Sequence, residues 1–121
     1  MHGTIKTGTL TNARDPEGRG WFIGRFMEEP YATHAFEAKW ATHEKGSRRT
    51  PSANDAKTMC ILISGSFVLR FPDKNTETIL NEQGAFVWWD ANVLHTYEAL
   101  EESTVLTIRW PSKNTNDTTP K

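Results

Sequence analysis

Three histidines in the body of this 121-residue chain, one cysteine and a pair of arginines are the side chains best suited to acid–base, nucleophilic or metal chemistry. Glu37 falls between His34 and His43, and His95 stands alone far downstream. Imidazole nitrogen and carboxylate oxygen together hold Fe, Mn, Ni, Cu or Zn, so a site built from His43, His95 and Glu37 is one chemistry to weigh. These residues share no recognised ligand spacing, and histidines at strand ends facing water account for His34 and His43 more simply. His2 lies in the N-terminal segment and carries no signal. His95 could serve as a general base, but no acid–base partner can be placed beside it. Cys60 sits inside an apolar run and reads as a buried, inert thiol. Arg48 and Arg49 lie in a loop, where guanidinium forks match carboxylate or phosphate; a solvated loop is the plainer account. Arg109 interrupts an apolar strand and is expected to pair with Glu98 or another carboxylate across the sheet. No Gly-x-Ser-x-Gly elbow and no Gly-rich phosphate loop occurs.

The elements that must position these residues read as strands. Thr4–Leu10, Trp21–Met27, Phe36–Thr42, Met59–Ser64, Phe67–Phe71, Thr76–Leu80, Phe86–Trp89, His95–Leu100 and Thr104–Trp110 are short and rich in β-branched or aromatic residues. Turn signals separate them: Pro72-Asp73-Lys74-Asn75, Asn81-Glu82-Gln83-Gly84 and Glu101-Glu102-Ser103. Ser64-Gly65 suggests a tight hairpin between two of them. No segment carries a 3.6-residue apolar period. About nine short antiparallel strands predict an all-β barrel or sandwich. In Phe67–Phe71 the residues Phe67, Leu69 and Phe71 share a face. In Thr104–Trp110 the residues Leu106, Ile108 and Trp110 do, and each set is expected to face the core.

Composition narrows the classes further. The formal net charge is −1 and no long basic run appears, so no nucleic-acid partner is expected. No apolar stretch reaches membrane-span length, and the N-terminus lacks the pattern of a signal peptide, so a cytoplasmic protein with no membrane partner is expected. A single cysteine excludes an intramolecular disulfide. With 36% hydrophobic residues, the five Trp and six Phe must carry much of the burial. Residues 1–110 read as one domain, and 111–121 as a flexible polar tail without an apolar anchor. Asn12–Gly20 reads as a loop.

Two stretches carry a more specific pattern. From Gly46 to Gly65 the chain reads GSRRTPSANDAKTMCILISG, and from Gly84 it reads GAFVWWDANVLHT. The glycine spacing, Pro51, the ILISGSFVLRF stretch and His95 resemble the two motifs of the cupin family, over about Phe36 to Trp110. The resemblance implies a jelly-roll or double-stranded β-helix barrel of the RmlC-like type. It also implies that a metal would be held by two histidines, a glutamate and a third histidine. Here Ser52 and Asn54 stand at the two histidine positions, Thr58 at the glutamate, and Asp90 and Asn92 at the Pro and Gly of the second motif. Only His95 remains. Neutral hydroxyls are weak ligands for transition metals, so no metal and no cofactor is expected.

If the substituted positions still point inward, Ser52, Asn54, Thr58 and His95 form a neutral polar cluster. Trp40, Trp88 or Trp89, and Tyr97 could then supply rings for a sugar, carboxylate or flat ligand. A packed core, with the polar residues satisfying one another, accounts for the same residues. The expected function is metal-independent small-molecule binding, or an accessory or regulatory role. A metal-dependent isomerase, lyase or oxygenase with an altered site is the first alternative. A homodimeric structural protein with a filled barrel is the second. A homodimer is expected, with Thr4–Leu10 a candidate for a swapped strand.

Overall fold

A computed structural model of the chain describes residues 3–10 and 20–112. Eight strands follow one another: β1 (Trp21–Ile23), β2 (Glu37–His43), β3 (Lys57–Ser64), β4 (Phe67–Phe71), β5 (Thr76–Leu80), β6 (Phe86–Trp89), β7 (Thr96–Ala99) and β8 (Ser103–Trp110). They form a five-stranded sheet in the order β1-β2-β8-β3-β6 and a three-stranded sheet in the order β5-β4-β7. All named pairings are antiparallel. The core between the sheets contains Cys60, Leu62, Phe67, Leu69, Phe71, Leu80, Trp89, Ala99 and Val105.

Apart from β1, which ends at Ile23 in a turn where the sequence predicts a strand over Trp21–Met27, alternation and turn chemistry place these strands close to where the sequence predicts them, with three further differences. Thr4–Leu10 is not a strand, and Ile5 is 89% exposed. Its alternating Ile and Leu find no sheet to pack on, and pattern alone does not hold an isolated strand. Ser64-Gly65-Ser66 is not a hairpin, because β3 and β4 belong to different sheets. It is a corner at which the chain changes sheet. Gly65 takes φ +100 there, and a Cβ at that position would lie 2.3 Å from the Glu102 carbonyl oxygen. The Ser103 hydroxyl secures the corner, accepting from the Ser66 amide at 3.0 Å. The third difference is the polar tail. Ser112, predicted to belong to it, is buried and donates to Glu37 Oε1 at 3.0 Å. Residues 113–121, and all but Gly20 of the predicted Asn12–Gly20 loop, lie outside the described residues.

An asparagine and an aspartate show why the second motif survives its substitutions. Asn92 stands at the position of the motif glycine and takes φ +67. Asparagine is one of the few side chains that tolerate this region. Asp90 replaces the motif proline and caps its own turn, accepting from the Ala91 amide at 2.8 Å.

The faces of the two sheets differ. In the three-stranded sheet Phe67, Leu69 and Phe71 point to the core, as predicted. On its outer side Arg70 donates to Glu77 Oε2 at 3.1 Å and Glu98 Oε1 at 2.9 Å. In β8 the prediction is inverted. Val105, Thr107 and Arg109 face the interior, while Leu106, Ile108 and Trp110 face outward. The same inversion holds in β2, where Lys39 and His43 face inward and Trp40 outward.

Candidate functional site

The inner face of the five-stranded sheet is partly polar because the inward positions of β2 and β8 are polar except for Ala41 and Val105. Across the sheet Glu37 lies opposite Arg109, Lys39 opposite Thr107, and His43 opposite Ser103. β3 continues the first two rows with Thr58 and Cys60. Phe67 and Leu69 of β4 and Tyr97 of β7 close the opposite wall, and Trp89 of β6 lines the edge of the five-stranded sheet itself. The result is an interior cavity of about 50 Å³ open at one end. Its lining includes Lys39, His43, Arg49, Asn54, Thr58, His95 and Arg109.

His95 sits opposite Ser52 in a two-residue antiparallel bridge, with both amide-to-carbonyl bonds at 2.9 Å. Its ring Nδ1 lies 3.0 Å from the Val93 carbonyl oxygen. A carbonyl can only accept, so this contact places the proton of the neutral ring on Nδ1. The ring packs against Trp89 with centroids 4.6 Å apart. On the other side of the cavity His43 packs against Tyr97 at 4.9 Å and Phe67 at 5.3 Å. Burial, and secondarily the charge of Lys39, lower the pKa of His43 to about 4. His43 is therefore neutral at physiological pH. Burial raises the Tyr97 phenol, and the Arg49 charge partly opposes that shift.

Arg109 Nε lies 3.0 Å from Glu37 Oε2. The expected partner of Arg109 was Glu98 or another carboxylate; Glu37, directly across on β2, fills that role, and Glu98 pairs with Arg70. The Arg109 guanidinium carbon lies 4.7 Å from the Trp21 ring centre, and Lys39 Nζ approaches the same ring at 5.2 Å. Trp21 thereby meets two cations at its ring.

Of the residues singled out in sequence, Asn54, Thr58, His95, Trp89 and Tyr97 come together around the cavity. Ser52 is fully buried but does not line it. Trp40 lies on the outer face of the sheet, opposite Leu106, because β2 has the reverse polarity. Asn54 Oδ1 is used in its own loop, accepting from the Ala56 amide at 2.9 Å. Thr58 Oγ1 is buried and has no hydrogen-bond partner among the described residues. Cys60 lines the cavity as a thiol pushed up to about 12, mainly by burial, which keeps it protonated and unreactive. Arg49 reaches the cavity mouth; its neighbour Arg48 forms a backbone bridge with Glu98. Lys39, Thr107 and Arg109 were missed as site residues. Alternation in β2 and β8 marked a polar face, but a polar face reads as solvent-facing by default.

A metal of the cupin type does not fit these donors. Ser52 is off the cavity, Asn54 and Thr58 offer neutral oxygens, and Glu37 is engaged by Arg109 and Ser112. Among the described residues no three His, Cys, Asp or Glu side chains are grouped to hold an ion.

No protein-family model matches the chain, and no curated protein matches it. Solved structures do. An RmlC-like cupin from Shewanella frigidimarina NCIMB 400 is 15% identical, with a TM-score of 0.61 over 67% of this chain and 70% of that one. KdgF from Halomonas sp. is 19% identical, with a TM-score of 0.62 over 68% and 75%. The polyketide cyclase RemF from Streptomyces resistomycificus is 11% identical, with a TM-score of 0.65 over 79% and 68%. At such identities the likeness concerns architecture: the chain has the cupin fold. Among the described residues no helix is long and apolar enough to cross a membrane.

Proposed function

We propose that the chain is a metal-independent binding protein whose barrel receives the carboxylate of a small organic acid. One observation carries this reading. The cavity lining includes three cationic side chains, Lys39, Arg49 and Arg109, and no aspartate or glutamate. Arg109 shares its charge with Glu37 behind the lining, while Arg49 stands at the mouth. Guanidinium and ammonium groups beside low-dielectric aromatic walls attract an anion more strongly than they would in water. The hydroxyl of Thr58 adds a donor at the cavity floor.

Size points the same way. A water occupies a share of roughly 30 Å³ and a benzene-sized ligand needs roughly 150 Å³. A cavity of about 50 Å³ therefore suits a carboxylate head and leaves a ring or sugar in the mouth. The same small volume favours a second reading, a filled barrel with a structural role.

Thermal denaturation with acetate, pyruvate and benzoate, each against its neutral amide, separates the two. At a hundred-fold excess over Kd the acids should raise Tm by roughly 10 °C, and the amides should not. Arg49→Gln should weaken acid binding about tenfold. Equal behaviour of acids and amides would overturn the anion reading. Stoichiometric Fe, Mn, Ni or Zn surviving dialysis would overturn metal independence.

A further inference from the structure

We propose that Lys39 is a nucleophilic amine that forms a Schiff base with the carbonyl of a 2-oxo acid bound in the barrel. Among the described residues Lys6, Lys45, Lys57 and Lys74 are exposed, and Lys39 is the one lysine that is not. It lines the cavity from an inward position of β2. Its Nζ lies 5.2 Å from the centre of the Trp21 ring, and the Arg109 guanidinium carbon lies 4.7 Å from that ring. The two charges are therefore no more than about 10 Å apart, a range over which they still repel in a water-poor interior. Beyond the burial that dominates both groups, the Lys39 charge also acts on His43 and Cys60. Its amine thus projects among the cavity groups and not towards the surface.

Which cation can yield decides the chemistry. A guanidinium keeps its protons in proteins, whereas an ammonium group partly out of water and beside another cation gives one up more readily than at the surface. The Trp21 ring attracts the ammonium form, but Arg109 engages the same ring and stays charged. Glu37, two residues along the same strand, is engaged by Arg109 and Ser112. The released amine nitrogen bonds to the carbonyl carbon. The carbonyl oxygen takes two of the three ammonium protons and leaves as water. The protonated imine that remains carries one positive charge, as the ammonium did, so the attraction for the carboxylate is kept. No oxidant or reductant enters. Cys60, the other nucleophile in the lining, is held as a thiol.

The class of ligand rests on the carboxylate reading proposed above; the nucleophile does not. In a 2-oxo acid the carbonyl carbon is bonded directly to the carboxylate carbon. An acid whose head fills a cavity of about 50 Å³ therefore brings its carbonyl among the same lining groups, Lys39 included.

Incubating the full chain with pyruvate and cyanoborohydride traps the imine as a stable secondary amine, read by intact mass and peptide mapping. Each adduct adds the mass of pyruvic acid less one oxygen atom. Lys39 should be modified about tenfold faster or more than the exposed Lys45 and Lys57, the gain in neutral amine that one pH unit brings. Excess acetate should slow the reaction at Lys39 and not at Lys45. Lys39→Arg, with its fold checked by far-UV circular dichroism, should lose the fast adduct. Should that variant unfold, the peptide map of the unaltered protein decides alone. Labelling of Lys39 no faster than of Lys45 and Lys57 would overturn the inference, as would a fast adduct that persists in Lys39→Arg. Acetone, a carbonyl without a carboxylate, keeps the two readings apart. Fast trapping of pyruvate but not of acetone upholds both. Equal trapping of the two at Lys39 upholds the amine and overturns the carboxylate reading. A rise in Tm with acids but no fast adduct upholds the carboxylate reading and overturns the amine.

Discussion

The two sheets of this barrel differ in what they turn inward: one is apolar throughout its central strand, the other mixes apolar and charged residues. The three-stranded sheet turns Phe67, Leu69 and Phe71 inward and keeps Arg70, Glu77 and Glu98 outside. The five-stranded sheet turns Glu37, Lys39, Thr58 and Arg109 inward beside Cys60, Leu62, Trp89 and Val105, and turns Trp40, Leu106, Ile108 and Trp88 outward. One sheet supplies the apolar wall against which a core can form. The other gives up part of that burial to hold polar groups in the interior. An interior of low dielectric strengthens every charge interaction placed in it and raises the cost of leaving a charge unpaired. The same difference gives each sheet a different exterior, charged on one and apolar on the other.

The largest test of this difference uses the two arginine–carboxylate clusters. Glu37 is fully buried, and Arg109 is 7% exposed at its side chain. Glu37→Gln keeps the volume and the Ser112 contact but leaves Arg109 buried without its countercharge. Urea denaturation should show a loss of about 3–5 kcal/mol. The double variant Glu37→Met with Arg109→Met should recover most of it, since an apolar pair of similar volume has no unbalanced charge. Arg70→Ala breaks two ion pairs on the outer face of the other sheet, where water screens them. Its denaturation midpoint should hardly move. Equal losses in the two experiments would mean that the interior of the five-stranded sheet is as wet as the surface.

The contrast between the sheets also explains what the sequence discloses. Phe67–Phe71, Thr76–Leu80 and Phe86–Trp89 coincide with β4, β5 and β6 because turn residues bound them and alternation fills them. Gly65 and Gly84 mark backbone that must take positive φ, so their spacing carries the fold even where the metal ligands are gone. Alternation states that a strand has two unlike faces. It does not state which one faces inward. The usual rule, apolar inside, places β4 correctly and inverts both β2, which moves Trp40 out of the site and leaves Lys39 unrecognised, and β8, which leaves Thr107 and Arg109 unrecognised. The Glu37–Arg109 pair was equally hidden, because the register that joins them spans more than seventy residues of sequence. Thr4–Leu10 shows the converse error: it alternates like a strand but pairs with no strand among the described residues.

A smaller effect should come from His43, whose burial against Phe67 and Tyr97 holds its pKa at about 4 instead of the ordinary 6.5. Above pH 6.5 the ring is neutral in both folded and unfolded chains, and no stability is lost. Between 6.5 and about 4 the unfolded chain takes up a proton that the folded barrel refuses. Stability therefore falls as the pH is lowered through that window and levels off below it. The fall should be about 1–2 kcal/mol, since solvent at the cavity mouth screens part of the cost. His43→Gln should remove this component of the pH dependence, measured as the difference between denaturation midpoints at pH 7 and pH 4. An unchanged slope in the variant would show that His43 is solvated and that this end of the polar face is not part of the interior.

The finest distinction between the sheets rests on one hydroxyl. Thr58 and Leu69 both line the cavity, from opposite walls. Leu69 belongs to the apolar core, whereas Thr58 Oγ1 is buried with no hydrogen-bond partner among the described residues. A polar atom in that condition raises the energy of the folded state, and replacing it with a methyl group of similar size removes the penalty. Thr58→Val should therefore stabilise the protein by about 1 kcal/mol. If the hydroxyl is kept because it donates to a bound carboxylate, the same variant should bind small acids more weakly. Stability gained with affinity lost would tie the polarity of this sheet to its ligand. Stability gained with affinity unchanged would separate the two, and leave Lys39 and Arg49 as the groups that hold the anion.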